Sequence, residues 1–173
     1  MRRITALVDH ELTWTQPSGL KSQYELRFGN ELVATLRFPK TLGSHAVAEA
    51  EDGSWRFERV GFWKTKTIIK TGESETEIAA YETNVWKGGG SLIFPNGRKY
   101  VMVANIWKSR FEFRTDADET LIEINNSSVL RLSATVRMYR KAVRIPEFPM
   151  IVLFGSYLVV MSRRDAAAHT ATS

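Results

Sequence analysis

Basic residues interleaved with aromatic residues are the clearest candidates for binding chemistry in this sequence. Lysines alternate with aromatic and apolar residues between positions 62 and 70, and Trp107-Lys108-Ser109-Arg110 mixes the same residue types. Indole rings suit the depth of lipid headgroups at a membrane surface, where lysine and arginine reach phosphates. The alternative interpretation is a strand with a buried aromatic face and a solvated basic face, and the spacing favours it. The candidate residues for binding lipid or another anion are Lys64, Lys66, Lys70, Lys87, Arg98, Lys108 and Arg110.

A glycine-rich segment offers a second way of holding an anion. Gly88-Gly89-Gly90-Ser91 follows Lys87 directly. Consecutive exposed backbone N–H groups can cradle a phosphate, and a neighbouring lysine adds charge. Because no helix follows the glycines in the residue pattern, we interpret the segment as a flexible hairpin connection rather than a phosphate site.

Metal and catalytic chemistry have little support in the residues. His10, His45 and His169 are far apart in sequence, and none stands in a spaced motif with carboxylates. Asp116-Ala117-Asp118-Glu119 lacks the further ligands and the glycine of a calcium loop, which favours a solvated acidic turn. The chain has no cysteine, no nucleophile elbow, no Walker loop and no dinucleotide fingerprint. We therefore expect a protein that is not an enzyme and uses no metal or cofactor.

Length and charge bound the class of protein. The 173 residues fit one domain that buries its own core, without disulfides or structural metals. Met1–His10 contains no apolar run of signal-peptide length, which predicts a cytoplasmic protein. The formal net charge of +5 favours partners such as anionic membranes or acidic proteins. Nucleic acid ranks last among these partners because acidic residues are scattered through most of the chain.

Period-two alternation of apolar and polar residues recurs along the chain and predicts β-strands with one buried face. Two alternating runs flank Gly29-Asn30, a two-residue hairpin signal, and the longest run extends from Val129 to Arg140. About ten strands in an open sheet would leave long exposed edges, which favours closure into an antiparallel barrel over a sandwich. We predict a mainly β domain over residues 1–164, with strands between about 4 and 140 and a disordered tail at 165–173.

The segment Met150–Met161 contains no charged residue and departs from the alternating pattern. A transmembrane helix from 148 to 162 would be only about 22 Å long, short of the roughly 30 Å hydrocarbon core. A β-hairpin turning at Gly155-Ser156 fits the β-branched content. A helix over about 149–162 has Pro149 in its first turn and apolar residues on all sides, which requires a surrounding container. The residue pattern leaves these three interpretations open.

Three segments, Tyr24–Phe38, Ala48–Phe57 and Pro149–Leu158, resemble the tubby C-terminal-like superfamily, which includes tubby proteins, plant LURP-one-related proteins and phospholipid scramblases. The similarity extends over roughly residues 20 to 164. It implies a β-barrel of about twelve strands around a central hydrophobic helix, which favours the helical interpretation of Met150–Met161. Tubby proteins bind phosphoinositides through basic residues, but those positions do not correspond one by one to residues of this chain.

Two functional hypotheses follow from these observations. The first is a non-catalytic binding or scaffold module that associates with anionic phospholipid at a membrane surface, or with another protein, and has no transmembrane span. The second is an intracellular carrier that holds a small apolar ligand inside the barrel. The carrier requires Met150–Met161 to leave the lumen, because a helix that fills the barrel leaves no cavity of useful size.

Overall fold

The computed structural model describes residues 1–17, 22–61, 66–84, 88–128 and 131–171. Within these residues, twelve antiparallel strands pair in a ring, and β1 pairs with both β2 and β12 to close the barrel. The prediction of a mainly β, closed antiparallel barrel is therefore confirmed. The strands are β1 (Glu11–Thr15), β2 (Gln23–Phe28), β3 (Glu31–Arg37), β4 (Ala46–Ala50), β5 (Gly53–Val60), β6 (Lys66–Thr71), β7 (Glu77–Asn84), β8 (Gly89–Ile93), β9 (Lys99–Ala104), β10 (Arg110–Arg114), β11 (Thr120–Asn126) and β12 (Ser133–Met138).

The strands form where apolar and polar residues alternate. Trp55 and Phe57 of β5 are buried while Arg56 between them is only half-buried, as period-two alternation predicts. Between β2 and β3 the predicted hairpin turn is present, and Gly29 has a φ of 57°. That left-handed conformation favours glycine, because a Cβ atom would meet the following carbonyl oxygen.

The apolar C-terminal segment is a helix, α1 (Phe148–Ala171), that runs through the barrel. All residues from Phe148 to Met161 are buried. A helix without a polar face is stable only where apolar groups surround it, and the inward faces of the strands provide that surrounding. Among the described helices, none combines the length and the apolar character needed to cross a membrane.

Gly155 lies where α1 comes closest to the wall. A Cβ atom at this position would be 2.6 Å from Cδ1 of Ile124 and 3.2 Å from Cε2 of Phe113. Distances this short are below ordinary carbon–carbon contact, so a side chain here would push the helix away from β10 and β11. The lack of a side chain at Gly155 therefore allows the close approach of strand and helix.

Two short 3-10 helices cover the end of the barrel at which α1 begins. They span Ile4–Leu7 and Arg140–Arg144, and Ile4, Leu7 and Ala142 are buried. The backbone N–H of Ile4 donates to Oδ2 of Asp52 at 2.6 Å, which fixes the N-terminal segment to the barrel. The strands accordingly begin at Glu11, because the segment predicted to start them at about residue 4 is this 3-10 helix.

The C-terminal end of α1 corrects the predicted boundary. The helix continues to Ala171, well beyond the expected end at 162, so residues 165–171 are helical rather than a disordered tail. Three consecutive alanines from 166 favour the helix, and both Asp165 carboxylate oxygens accept from Arg59 of β5 at 2.9 Å. Burial lowers the pKa of Arg59, but the hydrogen bond and charge of Asp165 outweigh it and raise the pKa overall, so the guanidinium stays charged.

Candidate functional site

The two ends of the barrel differ because α1 leaves through only one of them. Arg59, close to the end of β5, contacts Asp165 just beyond the buried part of α1. The helix therefore leaves where β5 ends, and antiparallel pairing brings every second connection to the same end. We call this the helix-exit end and the opposite one the closed end. The connections at the helix-exit end are 16–22, 38–45, 61–65, 85–88, 105–109 and 127–132.

Charge is divided unevenly between these two ends. In sequence, the six connections at the helix-exit end contain six basic residues, one in each, and no acidic residue. The connections at the closed end contain eight acidic and four basic residues. The connections are thus positive at the helix-exit end and negative at the closed end. The six basic residues are Lys21, Lys40, Lys64, Lys87, Lys108 and Arg131, of which Lys21, Lys64 and Lys87 lie outside the described residues.

The described cations of these connections have no anionic partner. Lys40, Lys108 and Arg131 are exposed and make no ion pair within the described part of the chain. At the closed end, by contrast, Arg98 is paired with Glu147. A cation already paired with a carboxylate attracts a further anion less strongly, so the positive potential is concentrated at the helix-exit end.

The connection between β9 and β10 is held in one shape by Asn105. Its Oδ1 atom accepts from the backbone N–H groups of Ser109 and Arg110 at 2.8 and 3.0 Å. Lys108 has a φ of 49°, and its N–H donates to the carbonyl of Asn105 at 2.9 Å. A left-handed conformation costs energy in a residue with a Cβ atom, so the surrounding hydrogen bonds are what maintain it.

This organised turn presents two large apolar side chains to solvent. Ile106 is 92% exposed and Trp107 is 85% exposed. Large apolar side chains in such a position contribute nothing to the core, and adjacent exposed ones often mark a contact surface.

The connection between β3 and β4 also ends in an exposed apolar side chain, Leu42, which is 99% exposed. Its base is fixed to α1, because Tyr157 Oη donates to the carbonyl of Ser44 and Arg164 Nη1 to that of Gly43, both at 2.9 Å. Burial raises the pKa of Tyr157 to about 12, which keeps its hydroxyl protonated and able to donate.

The exposed apolar groups lie on opposite sides of the barrel mouth. In the ring of strands, the β3–β4 connection is half-way around from the β9–β10 connection. Cations accompany the apolar groups on both sides. We call the following six residues the rim: Lys40, Leu42, Ile106, Trp107, Lys108 and Arg131.

The structure separates the residues that the sequence predicts to bind an anion. Lys66, Lys108 and Arg110 lie at strand ends or turns of the helix-exit end. Lys70 and Arg98 lie toward the closed end, each in an ion pair with a glutamate. The described candidates therefore do not form one site, and Lys108 is the one that belongs to the rim. Two further candidates lie outside the described residues: Lys64 and Lys87.

The glycine-rich segment Gly88–Ser91 leads into β8, where strand packing requires its glycines. A Cβ atom on Gly89 would be 2.1 Å from the carbonyl oxygen of Met102, and one on Gly90 would be 2.4 Å from the hydroxyl of Tyr81. These contacts explain the glycines without a bound phosphate.

The acidic segment 116–119 takes part in ion pairs at the closed end. Asp118 accepts from Arg114 at 2.8 Å, and Glu119 is paired with Lys141. Within the described ranges, no group of three or more histidine, aspartate or glutamate side chains is placed to hold a metal ion.

A comparison with solved structures finds this architecture in a plant protein. The X-ray structure of a protein from Arabidopsis thaliana matches with a TM-score of 0.57 and 6% sequence identity, over 90% of this chain and 92% of that chain. The two chains share a fold. No family model matches this chain, and no curated protein matches its sequence significantly. Membership of the tubby C-terminal-like superfamily therefore stays a prediction, while the barrel that the resemblance implies is present.

The sequence contained a signal for the rim that charge counting missed. An apolar residue followed by tryptophan and lysine occurs three times, as Phe62-Trp63-Lys64, Val85-Trp86-Lys87 and Ile106-Trp107-Lys108. The third copy lies within the described residues, in the connection between β9 and β10, and the first two lie outside them.

Asn105→Ala tests whether this residue holds the β9–β10 turn. Loss of its side-chain hydrogen bonds is expected to lower the free energy of unfolding by about 1–2 kcal/mol. Amide hydrogen exchange at residues 106–110 is expected to accelerate. Asn96→Ala is the matched control, because Asn96 accepts from the N–H of Arg98 in a turn at the closed end. Unchanged exchange in the Asn105 variant would contradict the assigned role.

Proposed function

We propose that this protein is a non-catalytic module that associates reversibly with anionic membrane surfaces through its helix-exit end. The observation that carries the proposal is the combination of exposed apolar side chains and unpaired cations in connections that contain no acidic residue. Apolar and indole groups enter the interface while lysine and arginine lie at the phosphates. On this proposal the protein is cytoplasmic and peripheral to the membrane.

The size of the expected interaction supports reversible binding. Each cation near an anionic leaflet contributes about 1 kcal/mol, and full burial of a large apolar side chain contributes about 1.5–3 kcal/mol. Three described cations and three apolar groups, only partly inserted, fall far short of the insertion energy of a transmembrane helix. Binding then depends on the lipid charge and on salt.

The geometry favours contact with the membrane through the end of the barrel. Because Leu42 and Trp107 lie on opposite sides of the mouth, a flat surface that contacts both must face the mouth rather than the side of the barrel. The exposed part of α1 leaves through the same mouth, but residues 166–171 contain no acidic side chain, and Asp165 is paired with Arg59. Within the described residues, the connections at this end carry no carboxylate; the exposed Glu58 and Glu82, which make no ion pair there, lie two residues inside β5 and β7.

The carrier hypothesis, in its form with a ligand that takes the place of α1 in the lumen, does not fit this structure. It required Met150–Met161 to leave the barrel, and these residues are buried inside it. A protein partner with an acidic surface remains the competing outcome for the rim.

Co-sedimentation with lipid vesicles tests the proposal. We expect binding to phosphatidylcholine vesicles that contain phosphatidylserine, little binding to phosphatidylcholine alone, and loss of binding when sodium chloride is raised to about 1 M, where charges are screened within roughly 3 Å. Equal binding to both vesicle types, or no binding to anionic vesicles at low salt, is the result that would contradict the proposal.

A further inference from the structure

Two connected cavities open at the helix-exit end, between α1 and the wall formed by β5 and β7 to β10. The inner cavity has a volume of about 340 Å³ and the outer one about 690 Å³. The first is within the range of small-molecule sites. The residues that line both cavities are Arg59, Lys108, Ser162 and Asp165. We call the two cavities together the cleft.

One part of the inner cavity is apolar. Met102, Phe111 and Leu158 line it and are buried from solvent. Tyr81 also lines it, and burial raises the pKa of this phenol more than the charge of Arg59 lowers it, so the ring stays uncharged. These apolar side chains suit a hydrocarbon chain, while Thr83, Asn84 and the charged residues nearer the mouth form the polar part of the lining.

The mouth of the cleft is positively charged. Arg59 and Asp165 neutralise each other through two hydrogen bonds, whereas Lys108 has no ion pair within the described residues. The turn around Asn105 fixes the left-handed backbone of Lys108, which sets the direction in which its side chain leaves the backbone. Arg163 lines the outer cavity and adds positive charge.

We infer that the cleft binds a single-chain amphiphile with an anionic head, a carboxylate or a phosphate. The chain occupies the inner cavity, and the head lies beside Lys108 at the mouth. A neutral chain would leave Lys108 without a counter-charge, and a small anion would leave the apolar cavity empty. The inference does not rest on membrane association, because an amphiphile dissolved as a monomer reaches the same cleft.

Isothermal titration calorimetry with decanoate, below its micelle concentration, tests this inference. We expect saturable binding at one site, weaker binding of decanol, and no binding of acetate. Lys108→Gln is expected to weaken decanoate binding about tenfold, the loss of one charge-assisted hydrogen bond, and to leave decanol unchanged. Lys99→Gln is the matched control, because Lys99 is exposed at the other end of β9 and makes no ion pair within the described residues.

Substitutions that fill the inner cavity distinguish binding in the cleft from binding at the rim. Ala104 and Ser162 line the inner cavity and do not belong to the rim. Ala104→Leu and Ser162→Leu are both expected to weaken decanoate binding at least about tenfold and to leave binding to anionic vesicles unchanged. Ser162 is half-exposed on α1, so its leucine variant carries the test if the Ala104 variant fails to fold.

Three results would overturn the inference: no decanoate binding by the wild type, wild-type affinity in a folded Ser162→Leu variant, or acetate binding as tight as decanoate. Thermal unfolding of each variant checks that it is folded. Vesicle binding without decanoate binding would contradict the inference about the cleft and leave the rim proposal intact. Decanoate binding without vesicle binding would contradict the rim proposal alone.

Discussion

Replacing Phe154 with alanine is expected to lower the free energy of unfolding by about 3–5 kcal/mol, as for large aromatic residues in close-packed cores. The ring is fully buried at the middle of the buried part of α1 and lies 5.4 Å from Phe57, 5.3 Å from Tyr81 and 6.2 Å from Phe113, between ring centroids. These three rings belong to strands from different parts of the wall, which limits how far they can close over the space left behind. Urea unfolding followed by circular dichroism measures the effect.

Phe28→Ala provides the matched control for this prediction. Phe28 is only partly buried at the end of β2 and packs against His10, 4.9 Å away between centroids. Its loss is expected to cost clearly less than the loss of Phe154. Equal costs for the two variants would mean that α1 is not fixed in the lumen as described.

The fold could be predicted from the sequence wherever a local pattern of apolar and polar residues is compatible with only one structure. Alternation places every second residue of a strand on the same face, so the buried Trp55 and Phe57 could be assigned in advance. A helix that is apolar on all sides must be buried on all sides, and closure of the strands into a barrel provides that burial. The choice of helix over hairpin for Met150–Met161 rested on the family resemblance, because its β-branched residues favour strand locally.

The end of α1 was mispredicted because tertiary contacts extend it. Asp165 is 106 positions from Arg59 in sequence, so the ion pair that fixes the outer turns cannot be found from a local pattern. The alanines after Asp165 suggested a frayed tail by their low complexity, whereas their helix propensity favours continuation once the preceding turn is fixed.

The candidate site was only partly predictable for a related reason. Lys70 and Lys66 lie on the same strand and look equivalent in sequence, yet they lie toward opposite ends of β6. Which end of the barrel a connection occupies depends on the number of strands before it. Each connection of the helix-exit end contains one basic and no acidic residue, and these connections come together at one end only when the barrel closes.

Replacing both Ile106 and Trp107 with serine is expected to weaken binding to anionic vesicles by about tenfold to hundredfold. Partial burial of these side chains in the interface contributes about 1.4–2.8 kcal/mol, which corresponds to that range. Both are more than four-fifths exposed in the free protein, at 92% and 85%, so the free energy of unfolding should change by less than about 0.5 kcal/mol. Vesicle co-sedimentation over a range of lipid concentrations measures the partition coefficient.

The control for this variant is Val143→Ser, because Val143 is 49% exposed at the closed end, away from the rim. It is expected to bind vesicles as the wild type does. The double-serine variant should also keep its salt dependence, since Lys108 and Lys40 are intact and the lost contribution is apolar. The double-serine variant could instead lose its salt dependence and keep its affinity for vesicles at low salt. Ile106 and Trp107 would then position nearby charges rather than insert into the membrane, and the proposed end-on contact would be wrong.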